Sequence, residues 1–126
     1  QCRPRAQLPD GTKRIFYILT EVTSKTIGPI LIEEPELGVH PHQFNLLMNF
    51  LKEESADKQI IISTHSPASL DHLDYDELDN LLIATYNNDD GTIIKRLSMQ
   101  QKEKAVAYMN EVGFLGDYWM LSDLEE

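Results

Sequence analysis

The sequence predicts an α/β fold, a mostly parallel sheet with flanking helices and a carboxyl-terminal hairpin. Two short apolar runs, Ile30-Leu31-Ile32 and Ile60-Ile61-Ile62, have the unbroken hydrophobicity of strands buried on both faces, and a helical pattern separates them. Strand, helix, strand, helix in that order makes a parallel sheet with right-handed crossovers. Further on, NLLIATY and TIIKRL flank NNDDG, whose turn-forming residues read as the centre of a hairpin.

Each element has its own local reason. From Thr12 to Lys25, Ile15, Ile18, Leu19 and Val22 fall at helical spacing, with Asp10 near the start as a cap. Gly28-Pro29 ends that helix, and the first strand follows. Between Pro41 and Glu54, the stripe Phe44, Leu47, Met48 and Leu51 predicts a second helix, and Pro41 suits its first turn. After the second strand, HSPASLDHL reads as a helix capped by Ser66 with Pro67 at its first position. A last helix is expected from Met99 to Val112, and residues 113–126 form a tail whose Phe114, Tyr118 and Trp119 pack onto the domain. At 126 residues, without repeats or an interior linker, the chain is expected to make one domain at most.

Composition narrows the function classes. A net charge of -10 opposes broad binding of a nucleic-acid backbone, which needs Lys and Arg against phosphates, so any DNA contact belongs to other regions. No apolar run approaches the roughly 20 residues that span a bilayer, and QCRPRAQLPDG lacks the apolar centre of a signal peptide. A cytoplasmic location without membrane contact is the expectation. The single Cys2 forms no internal disulfide, in keeping with a reducing compartment. The chain begins with Gln1 rather than Met, as a processed product or a piece of something longer does.

The chemistry is concentrated in GPILIEEPELGVHPHQF, where an apolar strand runs into Glu33 and Glu34. Ligands of open parallel sheets bind outside the carboxyl ends of the strands, and two acids there can divide the labour of holding a cation and activating a water. Taken alone, a Glu-Glu dipeptide is a solvated strand end. The second strand changes that reading, because IIISTHS delivers Ser63, Thr64 and His65 to its own end, beside the acids if the strands are neighbours.

These segments resemble those of ABC-type ATPases, in the branch that includes the overcoming-lysogenization-defect, RecF-like and chromosome-maintenance-like ATPases. ILIEEPELGVHP is similar to the Walker B segment and its following loop, IISTHSP to the switch-histidine segment, and LPDGT, residues 8 to 12, to the signature motif. The resemblance implies a partial P-loop NTPase fold over residues 1–126, with ATP and Mg2+ as cofactors. It implies that Glu33 supports the Mg2+ shell through water, that Glu34 is the catalytic glutamate, and that His65 contacts the γ-phosphate. By the same resemblance Asp10, Gly11 and Thr12 approach the nucleotide of a second subunit in a homodimer, and Gly38, in the loop after the acids, joins them as a cofactor-binding residue; its backbone stays open between a left-handed conformation and a plain turn. Hydrolysis in that family drives dimer opening and closing, commonly on DNA in repair or in defence against phage.

Two departures stand out. Pro9 replaces the usual signature Ser, removing a hydroxyl. No G-x-x-x-x-G-K-S/T loop occurs, since none of Gly11, Gly28, Gly38, Gly91, Gly113 and Gly116 precedes Lys-Ser or Lys-Thr. The resemblance implies that the phosphate cradle lies in an amino-terminal half outside this chain, and the chain by itself is expected to be inactive. Two alternatives stay open: a non-catalytic, nucleotide-gated scaffold or protein-interaction module of the same fold, and a zinc-dependent hydrolase using His40 and His42 with His65 or a nearby Glu. NNDDG lacks the bidentate Glu of a calcium loop, and His72 reads as an ordinary helix residue.

Overall fold

The computed structural model of the chain describes residues 8–24 and 28–121. Cys2 and the acidic end of the tail, residues 122–126, lie outside the described residues, as does Lys25. The chain divides between Ser69 and Leu70 into two compact units. Where length suggests one domain, the buried side chains gather into two clusters. Among the described residues no helix is long and apolar enough to cross a membrane.

The first unit holds α1 (Asp10–Thr23), β1 (Ile30–Glu33), α2 (Pro41–Glu54) and β2 (Ile60–Ser63). β1 and β2 pair in parallel, from Ile30 opposite Ile60 to Glu33 opposite Ser63. Ile18 and Val22 of α1, Ile30 of β1, and Phe44, Leu47, Met48 and Leu51 of α2 form its core, which is the helical stripe anticipated from the sequence. Lys58 closes the unit from below, with Nζ 2.7 Å from Glu54 Oε2 and also donating to the Val22 carbonyl near the end of α1.

Three local expectations are corrected. Both strands alternate instead of being buried on two faces: Leu31 is 74% and Ile61 43% exposed, because α1 and α2 cover only one side of the pair. Asp10 is the first residue of α1 rather than its cap, and Pro9 holds the cap position without a side-chain hydrogen bond. Pro67–His72 is a 3-10 helix, not an α-helix, with Ser69 N donating to Ser66 O and Leu73 N to Leu70 O. A second 3-10 turn, Tyr75–Asn80, starts at once from an Asp74 and Glu77 capping box, so neither turn lengthens.

The second unit contains the hairpin β3 (Leu82–Asn87) and β4 (Gly91–Arg96), then α3 (Met99–Glu111) and α4 (Leu115–Leu121). Asn87 Oδ1 accepts from Asp89 N at 3.0 Å and Asp90 N at 2.6 Å, and Gly91 supplies the positive φ of 76° that closes the turn. Ser98 and Gln101 form a capping box that starts α3. Leu78, Ile83, Leu97, Ala105 and Leu115 form the core, with Tyr118 and Trp119 packed against it. Phe114, expected in that aromatic cluster, is instead exposed. Lys102 hydrogen-bonds Asp79, and this bond, with the ammonium charge behind it, holds the Asp79 carboxyl below the ordinary range.

Two predictions follow from this packing. Leu51, 2% exposed, should cost about 3 kcal/mol when changed to Ala, whereas exposed Leu31→Ala should be nearly neutral, as read from urea denaturation. For Asp79 the folded pKa is depressed, so its contribution is complete above the ordinary carboxylate range and fades as pH falls through the lowered value. An NMR titration should show that low midpoint, and Lys102→Ala should return it to the ordinary range.

Candidate functional site

The parallel register sends β1 and β2 out of the sheet together. Glu33 and Ser63 are opposite one another, and Glu34 N donates to Ser63 O at 2.7 Å. Just beyond this pair, His65 Nε2 lies 3.9 Å from Glu34 Oε1, with the imidazole 92% exposed and the Glu34 carboxylate 36% exposed. The acids and the histidine are thus gathered at one sheet end, accessible to solvent.

Glu34 has a φ of 44°, the positive value among non-glycine described residues. A side chain held in that region costs on the order of 1 kcal/mol and persists only where its surroundings impose it. Here the Ser63 bond fixes its amide, Leu37 N donates to its carbonyl at 3.1 Å, and buried Pro35 follows directly. This turn aims the Glu34 carboxylate toward His65.

The residues of LPDGT come to the same region from α1. Gly11 is buried where a Cβ would stand 1.9 Å from the Gly38 carbonyl oxygen, so the start of α1 and the loop after the acids meet backbone to backbone. Gly38 has a φ of 74°, which decides its alternatives in favour of the left-handed backbone. Asp10, paired with Lys13 at 3.1 Å, and Thr12 are both exposed at the helix start. One turn further, Arg14 Nη2 donates to the Glu33 carbonyl at 2.8 Å. Arg14, Asp10, Glu33 and Leu31 also line an open groove along α1 and the free side of β1.

Beneath the site lies a second polar group. Thr64 Oγ1 donates to Glu36 Oε1 at 2.5 Å, accepts from Ser66 N at 2.9 Å and lies 3.1 Å from Ser69 Oγ. Among the described residues, Glu36 Oε2 is the buried side-chain polar atom without a hydrogen-bond partner. Sequence reasoning singled out neither Arg14 nor Glu36, and it took Thr64 only as one of three residues delivered to the end of the second strand. The local signal for Glu36 is only that a third acid follows Glu33 and Glu34 closely; its partner, Thr64, lies 28 residues away.

The zinc alternative fares differently. Among the described residues no three His, Cys, Asp or Glu side chains gather to hold a metal ion. His40 instead serves the fold, its Nδ1 accepting from His42 N at 3.3 Å as the cap of α2. For Mg2+ the test is different, because that ion needs only one or two hard carboxylates beside phosphate and water. The exposed oxygens of Glu33 at the strand end meet that requirement.

In fold, the chain is similar to a solved structure from work on ATP-driven dimerization and DNA-stimulated activation of SMC ATPases. The TM-score is 0.55 at 15% identity, over 84% of this chain and 64% of that one, so the chain spans less than two thirds of its neighbour. The chain shares with it an α/β fold, a small parallel sheet with flanking helices, consistent with part of a P-loop NTPase. More specifically, it belongs to the family described as AAA domain, putative AbiEii toxin, Type IV TA system, whose model matches residues 3–71, more than half of the chain. No curated protein matches it.

The Gly11 contact yields a prediction. Gly11→Ala forces two backbones apart and should lower stability by about 1–3 kcal/mol in thermal denaturation.

Proposed function

We propose that this chain carries the carboxyl-terminal half of an ATP-hydrolysing site of the ABC type, in the overcoming-lysogenization-defect and RecF-like branch. The observation that carries the reading is Glu34, held with a left-handed backbone 3.9 Å from His65 at the carboxyl end of paired parallel strands. A scaffold has no chemical need for that pairing.

In this reading Glu34 orients and deprotonates the attacking water, and His65 places a ring nitrogen against charge developing on the γ-phosphoryl group. Glu33 holds the Mg2+ shell through water, and the bound ion offsets phosphate charge. Asp10, Gly11 and Thr12, at the start of α1, face the nucleotide of a second subunit in a homodimer, where free backbone N–H groups suit phosphate oxygens. Gly38 keeps that helix start close to the acids.

The phosphate cradle comes from an amino-terminal half carrying the P-loop. The half-covered sheet supports this, since Leu31 and Ile61 present an apolar face to solvent, and parallel sheets are ordinarily covered on both sides. Hydrolysis would then open and close the dimer in the cytoplasm, on DNA held by other regions, during repair or phage defence. The dimerization and DNA stimulation described for the SMC neighbour, and the toxin–antitoxin setting in the family description, are compatible with that role. Pro9, which provides no side-chain bond at the helix start, favours the scaffold reading as the alternative.

One substitution separates the two. In the protein that includes the P-loop half, Glu34→Gln should retain Mg-ATP binding by calorimetry and lose at least about 100-fold in turnover. Unchanged turnover, or an unchanged biological function, would leave the scaffold.

A further inference from the structure

We infer that Glu36 is a positioning residue: its carboxylate ties the loop carrying Glu34 to the segment carrying His65 and fixes how those two side chains approach. The inference rests on the hydrolase reading above and assigns residues to which that reading gives no task.

Glu34 and His65 leave the sheet on separate loops. The bond from Glu34 N to Ser63 O is the last ladder contact, and beyond it the two loops need another tether if their side chains are to hold one distance. Successive residues of an extended segment point to opposite sides. With His65 turned to solvent, its neighbour Thr64 is turned inward, where it meets Glu36 at 2.5 Å. That distance belongs to the short end of hydroxyl-to-carboxylate bonds.

The Thr64 hydroxyl is fully committed. Its single hydrogen goes to Glu36, so Ser69 must donate in the 3.1 Å contact, while Ser66 N uses the remaining lone pair. A hydroxyl used in all its directions cannot rotate without breaking a bond, and Ser69 is itself buried. Glu36 is also an expensive residue for mere filling, because Oε2 is buried without a partner. What the carboxylate provides in return is an acceptor on the Glu34 loop, two residues from the acid itself, directed at the residue beside His65.

The test uses the protein that includes the P-loop half, comparing wild type with Glu36→Leu, which has no acceptor, and Thr64→Val, and reading amide hydrogen exchange together with kcat and KM for Mg-ATP. Both variants should raise exchange at the Glu34 and Ser66 amides about tenfold. In both, kcat should fall about tenfold or more while KM stays within about twofold. Thr64→Ser, which restores the hydroxyl, should bring both readouts back. Should Glu36→Leu fail to fold, Thr64→Val removes the same bond from the other side with its shape preserved. Unchanged exchange overturns the tether, and faster exchange with unchanged kcat in an active wild type reduces Glu36 to a structural residue and overturns the positioning role. An inactive wild type would instead overturn the hydrolase reading, and the exchange comparison would still decide whether Glu36 is the tether.

Discussion

The constraint on which the site depends is the parallel register of two four-residue strands. Ile30 opposite Ile60 fixes Glu33 opposite Ser63, and a slip of one residue would turn every side chain to the other face. That register is set by burial: Ile30, Ile32, Ile60 and Ile62 all face the helices and join one cluster. Polar bonds at the strand ends then refine a geometry that apolar packing has already chosen. Their individual net worth of about 1 kcal/mol is small beside the burial of Phe44, Leu47 and Leu51.

The start of α1 is locked to that frame by two features of different kinds. Gly11 lets the helix backbone touch the Gly38 carbonyl, a contact any other residue would prevent. Arg14 adds a directional bond to the Glu33 carbonyl. The three segments singled out in the sequence, LPDGT, EEPELG and STHS, therefore meet at one corner.

Much of this corner was legible, and what was not has a physical reason. The period of α2 and the apolar strands could be read because each is a local pattern. The exposure of Leu31 and Ile61 could not, since it depends on what covers the sheet rather than on the strand. Asp10 was misplaced by one position, as the cap rather than the first helical residue, because Asp suits either place. Glu34 and His65 stood out by residue type at strand ends. Arg14 and Glu36 did not, as their partners lie 19 and 28 residues away in sequence.

The backbone at Glu34 carries a consequence for engineering. Its φ of 44° suits glycine or asparagine better than glutamate. Residue 34 is thus a place where what the backbone favours and what the proposed chemistry uses are opposed. A library screened for heat tolerance alone would drift toward Gly or Asn there, and the sturdier proteins it returned would be the ones that had given up their carboxylate.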